Sequence, residues 1–391
     1  MMGSTSNIMS KHTRILLKLL GAFLCLGLHT AHAAEPGVTD TEIVMGQPID
    51  LTGPLAALTP DIIHASLAFL NGVNENGGVH GRKIRVLTKD DGYVVANTIN
   101  VVNDMIDKKS VFALMQMTGT ANVAAVLPLL AKENPPVPLF APFTGANLVR
   151  TPAINHVFNI RASYTDEAER MVQHLATLGS KHIAVVWSNN SFGKDGLLGV
   201  QRALEKRGMK LYADAPIEAN GSDTDKAVGA LHDLRPQAII LITSGAATVT
   251  FIKSYRKLSK GTQLYTLSVM GTQATLRSLG ADGVGTVVAS VVPFPWAAAH
   301  PLAREYRAAM QVAGYSNLSF LGLESYINAK VLVEALRLAG RDLTRTKFVK
   351  AMASIKGMDL GGFEVGFSMD SRQGSHFVEL TIVGPGEKFI K

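Results

Sequence analysis

The feature that most narrows the choice of fold is a regular alternation of two periods along the chain. Short runs rich in β-branched and apolar residues occur at Glu42–Ile49, Lys83–Thr88, Val111–Met117 and Val137–Phe140. Helical patterns lie between them, at Ile62–Glu75, Val95–Lys108 and Ala121–Glu133. The runs are nearly continuous in apolar residues, as strands are when helices cover both faces of a parallel sheet. Asn76-Gly77-Gly78 ends the first helix, because glycine takes the left-handed conformation without steric cost. The alternation resumes with strands at His182–Trp187, Gln237–Thr243 and Gln263–Val269. Helices are expected at Asp166–Leu178, Lys194–Arg207, Asp225–Leu234 and Thr248–Leu258. One twisted sheet would not hold so many strands, so the pattern predicts an α/β fold with two doubly wound parallel sheets. The last third breaks the rhythm. A strand at Val287–Val292 runs into Pro293-Phe294-Pro295-Trp296. Helices at Leu302–Val312, Leu323–Leu338 and Thr346–Ile355 follow, then strand-like runs at Phe363–Phe367 and Phe377–Val383. No Pro/Gly/Ser linker divides the halves, so direct chain crossings are expected to join the two lobes.

A length of 391 residues suits two lobes, and 47% hydrophobic against 18% charged residues argues against general disorder. Lys11, Arg14 and Lys18 lie in or before an apolar run from Ile15 to Leu28, and Ala31-His32-Ala33 fits the small-x-small cleavage rule. Residues 1–33 are therefore expected to be a secretory signal, with the mature chain starting near Ala34. The alternative is a membrane anchor, but the run is short for a span. The only cysteine, Cys25, falls inside that run. A processed chain would have no disulfide, thiol nucleophile or thiolate metal site. Without the three basic residues of the leader the net charge drops from +7 to +4. No Lys/Arg run is interleaved with aromatics, so no nucleic-acid partner is expected.

Enzyme signatures are missing. The sequence has no Gly-x-Ser-x-Gly elbow, Walker loop or His-Glu-x-x-His helix, and no Gly-x-Gly-x-x-Gly after a strand. Asp90-Asp91 precedes Gly92 and reads as a turn after a strand rather than a catalytic dyad. His182 and His232 have no metal partner at helical spacing. No enzymatic activity, cofactor or metal is expected.

In doubly wound folds, ligands sit beyond the carboxyl ends of the strands. Four loops leave strands with ligand-binding chemistry. Leu51–Leu58 carries the Gly53-Pro54 turn and small residues that admit close backbone approach. Gln116–Asn122 offers Thr118, Thr120 and Asn122 at a helix start, where free N–H groups and the helix dipole favour an anion. The alternative for Thr118 or Thr120 is plain N-capping. Ala141–Ala146 contains Thr144, which caps a turn or binds ligand. The fourth holds Tyr164, Asp166 and Glu167, and the two acids also suit a helix N-terminus on dipole grounds alone, the simpler role for Glu167.

These loops, in this order, resemble the leucine/isoleucine/valine-binding protein family of ABC-transporter receptors, with the type I periplasmic binding fold. The residues that carry the resemblance are Leu51-Thr52-Gly53-Pro54, then Asn71 through Lys83, then Asp90-Asp91. Phe158–Arg161 before Asp166 and Ser191–Gly196 continue it through the second half. The resemblance implies a Venus-flytrap of two lobes joined by three crossings near Arg161, Val291 and Gly362. Residues 41–160 plus 292–361 would form lobe 1, and residues 161–291 plus 362–391 lobe 2. It implies capture of a small carboxylate-bearing ligand by domain closure and delivery to an ABC permease in the inner membrane, by a monomer. A ligand-sensing subunit for a membrane kinase or chemoreceptor is the alternative. Residues implied at the site are Thr118, Thr120, Ala141 and Thr144 from lobe 1. From lobe 2 they are Tyr164, Asp166, Phe192, Ser244 and Met270, with Phe192 standing where the family has a hydroxylated aromatic. The family acid that grips an amino-acid ammonium would fall at Val269–Gly271, where this chain has none. An uncompensated buried ammonium is costly, so an aromatic or aliphatic carboxylate is the expected ligand unless Asp166 substitutes.

Overall fold

The computed structural model describes residues 35–368 and 371–391, so the expected signal segment lies outside the described residues. The first five strands are β1 (Glu42–Ile49), β2 (Lys83–Asp90), β3 (Ala113–Met115), β4 (Leu139–Phe140) and β5 (Val157–Phe158). Helices α1 (Thr59–Glu75), α2 (Val95–Asp107) and α3 (Thr120–Lys132) connect them. The strands form one parallel sheet in the order β2-β1-β3-β4-β5. After α4 (Tyr164–Thr177) a second set begins: β6 (Ile183–Ser188), α5 (Ser191–Glu205), β7 (Ala213–Ile217), α6 (Thr224–Leu234), β8 (Ala238–Ile242), α7 (Gly245–Leu258), β9 (Gln263–Thr266), α8 (Gln273–Leu279) and β10 (Val287–Ser290). Helices α9 (Pro301–Val312), α10 (Phe320–Ala339) and α11 (Arg345–Ser354) follow. A small hairpin, β11 (Met358–Asp359) with β12 (Glu364–Val365), precedes β13 (Glu379–Gly384) and β14 (Lys388–Ile390). The second sheet runs β14-β13-β10-β9-β8-β6-β7, with only the two C-terminal strands antiparallel.

The apolar strand runs are explained by burial on both faces. Along β1, Ile43 and Met45 enter a core shared with α1, α9, α10 and α11, while Val44 faces the core under α2 and α3. Along β6, Ile183 and Val185 meet α4 and α5, whereas Ala184 and Val186 meet α6 and α7. Adjacent strand residues point to opposite faces, so both must be apolar when both faces are covered.

Several expected boundaries shift. The Val111–Met117 run shrinks to Ala113–Met115, and Phe363–Phe367 contributes only β12 of the hairpin. Strands β7 and β14 and helix α8 had no sequence counterpart. Residues 363–368 and 371–373 stay with the first sheet: Phe367 packs edge-to-face on Phe158, and Asn159 N donates to the Arg372 carbonyl at 2.8 Å. The chain joins the second sheet at Glu379. Among the described residues, no helix is long and apolar enough to cross a membrane.

Candidate functional site

The exits of the first sheet are built under backbone strain. Tyr93, Gln116 and Ala141 follow β2, β3 and β4, and each non-glycine residue has a left-handed φ, of 61°, 51° and 48°. Such positions cost energy and persist only when the surroundings enforce them. Gln116 is held by its buried amide, which accepts from Gln47 Nε2 at 3.1 Å and donates to Ser325 Oγ at 2.8 Å. Asp91 accepts from Tyr93 N at 3.0 Å and Thr98 Oγ1 at 2.8 Å. Asp90 accepts from Leu51 N at 2.8 Å and Thr52 Oγ1 at 2.7 Å, and these bonds hold its carboxyl below the usual range. The Asp90-Asp91 turn therefore pins two cavity loops at once.

Those exits and the exits of the second sheet open on one cavity. The first half supplies Leu55 and Leu58 after β1, Thr59 and Ile62 of α1, Tyr93 after β2, Thr118, Gly119 and Thr120 after β3, and Phe143 after β4. The second half supplies Tyr164, Phe192, Ser244 and Val269, and Leu321 comes from α10. No charged side chain is among these residues. Four aromatic rings and five aliphatic side chains make most of the wall.

The polar chemistry comes from helix starts. The cavity meets the first residues of α1, α3 and α7, and none of the three has a side-chain cap. At α3 and α7 the free N–H groups and dipoles suit a negative charge, whereas the first turn of α1 holds Pro60, which has no N–H, and the acid Asp61. Capping by Thr118 or Thr120 is not what occurs: Gly119 is the N-cap of α3, and the Thr118 hydroxyl, 4% exposed, touches no polar partner. Thr120 Oγ1 pairs with Thr144 Oγ1 at 2.7 Å.

Of the nine residues singled out from sequence, Thr118, Thr120, Tyr164, Phe192 and Ser244 line the cavity. Four do not. Thr144 stands behind Thr120 and also accepts from Ala146 N at 3.2 Å. Ala141 is buried in the core, where its N–H donates to Phe158 O at 2.7 Å. Asp166 closes a capping box with Ser163 and accepts from Gln373 Nε2 at 2.9 Å. Burial pushes its carboxyl up, but the bonds from Ser163 and Gln373 outweigh this and the net shift is down. Its carboxylate is thus committed to the α4 start. Met270 is buried off the wall, and its neighbour Val269 faces the cavity instead. Tyr93 and the aliphatic wall of Ile62 and Leu321 were missed. Tyr93 follows the Asp90-Asp91-Gly92 turn, which the sequence did mark.

Beneath the aromatic wall lies a buried charge cluster. Arg161 sits 3.7 Å from Glu167 and 3.6 Å from Glu324, and its guanidinium is 5.9 Å from the ring centres of both Phe143 and Tyr164. Ser268 donates to Glu167 from its N–H at 2.7 Å and from its hydroxyl. Glu167 is therefore no mere dipole-compensating acid. Burial raises both carboxyls, Glu324 to about 7, against the pull of Arg161. Arg161, with a lesser pull from the buried Arg150 on Glu324, does not fully compensate the two buried anions.

A periplasmic binding protein family model matches residues 42–386. A substrate-binding periplasmic protein from Ralstonia solanacearum is 32% identical, with a TM-score of 0.83 over 89% of this chain and 99% of its own. A possible leucine/isoleucine/valine-binding protein from Rhodopirellula baltica is 26% identical, with a TM-score of 0.84 over 92% and 98%. A fatty acid ABC transporter substrate-binding protein from Thermomonospora curvata, 22% identical over 91% and 92%, shares the fold with a TM-score of 0.81. No curated protein matches the chain by sequence. The resemblance read from the strand-exit loops is borne out, as is the type I fold, and the chain belongs to the periplasmic binding protein family.

Proposed function

We propose that this protein captures a small monocarboxylate with an apolar, uncharged body by closing two lobes around it, and delivers it to an ABC permease. The make-up of the cavity carries the reading, and three further observations support it. The cavity joins uncapped helix starts and an unpartnered Thr118 hydroxyl to a wall otherwise apolar, with no acid to receive an ammonium. A carboxylate would take the N–H groups of α3 and the Thr118 hydroxyl, and a ring or branched chain would lie among Tyr93, Phe143, Tyr164 and Phe192. Residues from both sheets line the space, so a ligand there bridges the halves and favours the closed arrangement. The halves also touch directly: Asp195 of α5 accepts from Asn147 N at 3.2 Å. The contacts of Phe367 and Arg372 with the first sheet favour a third lobe crossing between Arg372 and β13.

Secretion with cleavage near Ala33 and a monomeric state belong to the same reading. Calorimetric titration of phenylpropionate against its amide tests it. The acid should bind at least tenfold more tightly, about 1.4 kcal/mol, because the amide brings no charge to the helix starts. Equal affinities would remove the carboxylate from the account.

A further inference from the structure

Gly245, the first residue of α7, has a φ of +54°. A side chain there would begin 2.5 Å from the Pro54 carbonyl oxygen and 3.4 Å from a Leu55 methyl carbon. Ser244 beside it and Leu55 opposite both line the cavity, so this contact crosses the cleft at the rim of the site. Both surfaces are stiff. Asp50 accepts from the N–H groups of Gly53 and Leu55, and Asp90 accepts from Leu51 N and Thr52 Oγ1. Gly53 is itself packed against the Gly92 carbonyl, where a Cβ would come within 2.4 Å of the oxygen. On the other side, a Cβ on Gly221 would lie 3.1 Å from Ala247 Cα, so the α7 start is braced by backbone too. Neither side can yield by turning a side chain. The Pro54 oxygen also lies against an uncapped helix start, where a carbonyl dipole is favoured.

We propose that Gly245 is a positioning residue that sets ligand affinity: its bare backbone lets the second lobe seat on Pro54 and complete the cavity, and any Cβ holds the cleft partly open. This rests on the closure reading above. The ligand need not touch Gly245. A smaller population of the closed form lowers apparent affinity in proportion.

The test separates the contact from backbone strain. Gly280 has a φ of +55°, and a Cβ there would meet nothing within 4 Å, so G280A carries positive-φ strain without the contact. Wild type, G245A and G280A are titrated with isocaproate and phenylpropionate, and their contraction on binding is followed by small-angle X-ray scattering. G280A should bind like wild type. G245A should bind at least tenfold more weakly, about 1.4 kcal/mol, and contract less. Equal affinity of the two variants would overturn the proposal, because the contact with Pro54 would then have no effect of its own. Failure of G245A to fold while G280A folds would also overturn it, since the contact would then serve folding rather than closure. A wild-type protein that bound neither acid would bring down the functional reading, a result visible without either variant.

Discussion

Thr118 and Thr120 sit two residues apart and have opposite roles. The Thr120 hydroxyl is already paired with Thr144 inside the first half, whereas that of Thr118 has no protein partner. A buried hydroxyl without a partner costs free energy that a bound carboxylate would recover. Thr118→Val should therefore weaken ligand binding by about 1–2 kcal/mol while leaving the ligand-free melting temperature unchanged or higher. Thr120→Ala should instead lower that melting temperature, because Thr144 loses its hydrogen bond to Thr120. Calorimetry and thermal melts of the two variants check this, and a destabilised but fully binding Thr118→Val protein would contradict it. The sequence marked both threonines because they follow a buried strand and precede a helix. It did not separate them, since the partner of Thr120 lies 24 residues away in sequence. The missing acid was likewise located only to Val269–Gly271, and burial alone decides that Val269 faces the ligand space and Met270 does not.

At the scale of elements, the cluster of Arg161, Glu167 and Glu324 ties the segment after β5 to α4 and α10. Glu324 has a folded pKa near 7, raised by burial from 4.5. The folded state therefore holds more protons than the unfolded one across that window, so this group's contribution to stability is largest below it and falls as pH rises to about 7. Glu324→Gln removes the titration and lets Glu167 pair with Arg161 alone. Urea unfolding should show wild type losing stability relative to Glu324→Gln between about pH 5 and pH 7. Parallel stability curves would contradict the assignment. Elements with strong patterns, such as β1 and β8, could be read almost to the residue. The edge strand β7 could not: Ala-Asp-Ala-Pro-Ile alternates in burial and carries Pro216, a residue that sheets tolerate at edges and that argues against a central strand. The β14 edge strand has three residues, too few to show a period.

At the scale of the molecule, each half presents its strand exits to one shared space, which is why the site could be anticipated from loops without knowing any distance. What the sequence could not supply is the packing that turns Ala141, Thr144, Asp166 and Met270 away from the wall and brings Tyr93 and Leu321 onto it. The resulting cavity has uncapped helix starts and no charged side chain on its wall. The most direct test is a thermal-shift comparison of ligand pairs that differ only in that ammonium: isocaproate against leucine, and phenylpropionate against phenylalanine. A ligand supplied at a thousand times its dissociation constant adds about 4 kcal/mol to stability. The account predicts a raised melting temperature with at least one of the plain acids and none with its amino-acid counterpart, and a shift as large or larger with leucine or phenylalanine would contradict it.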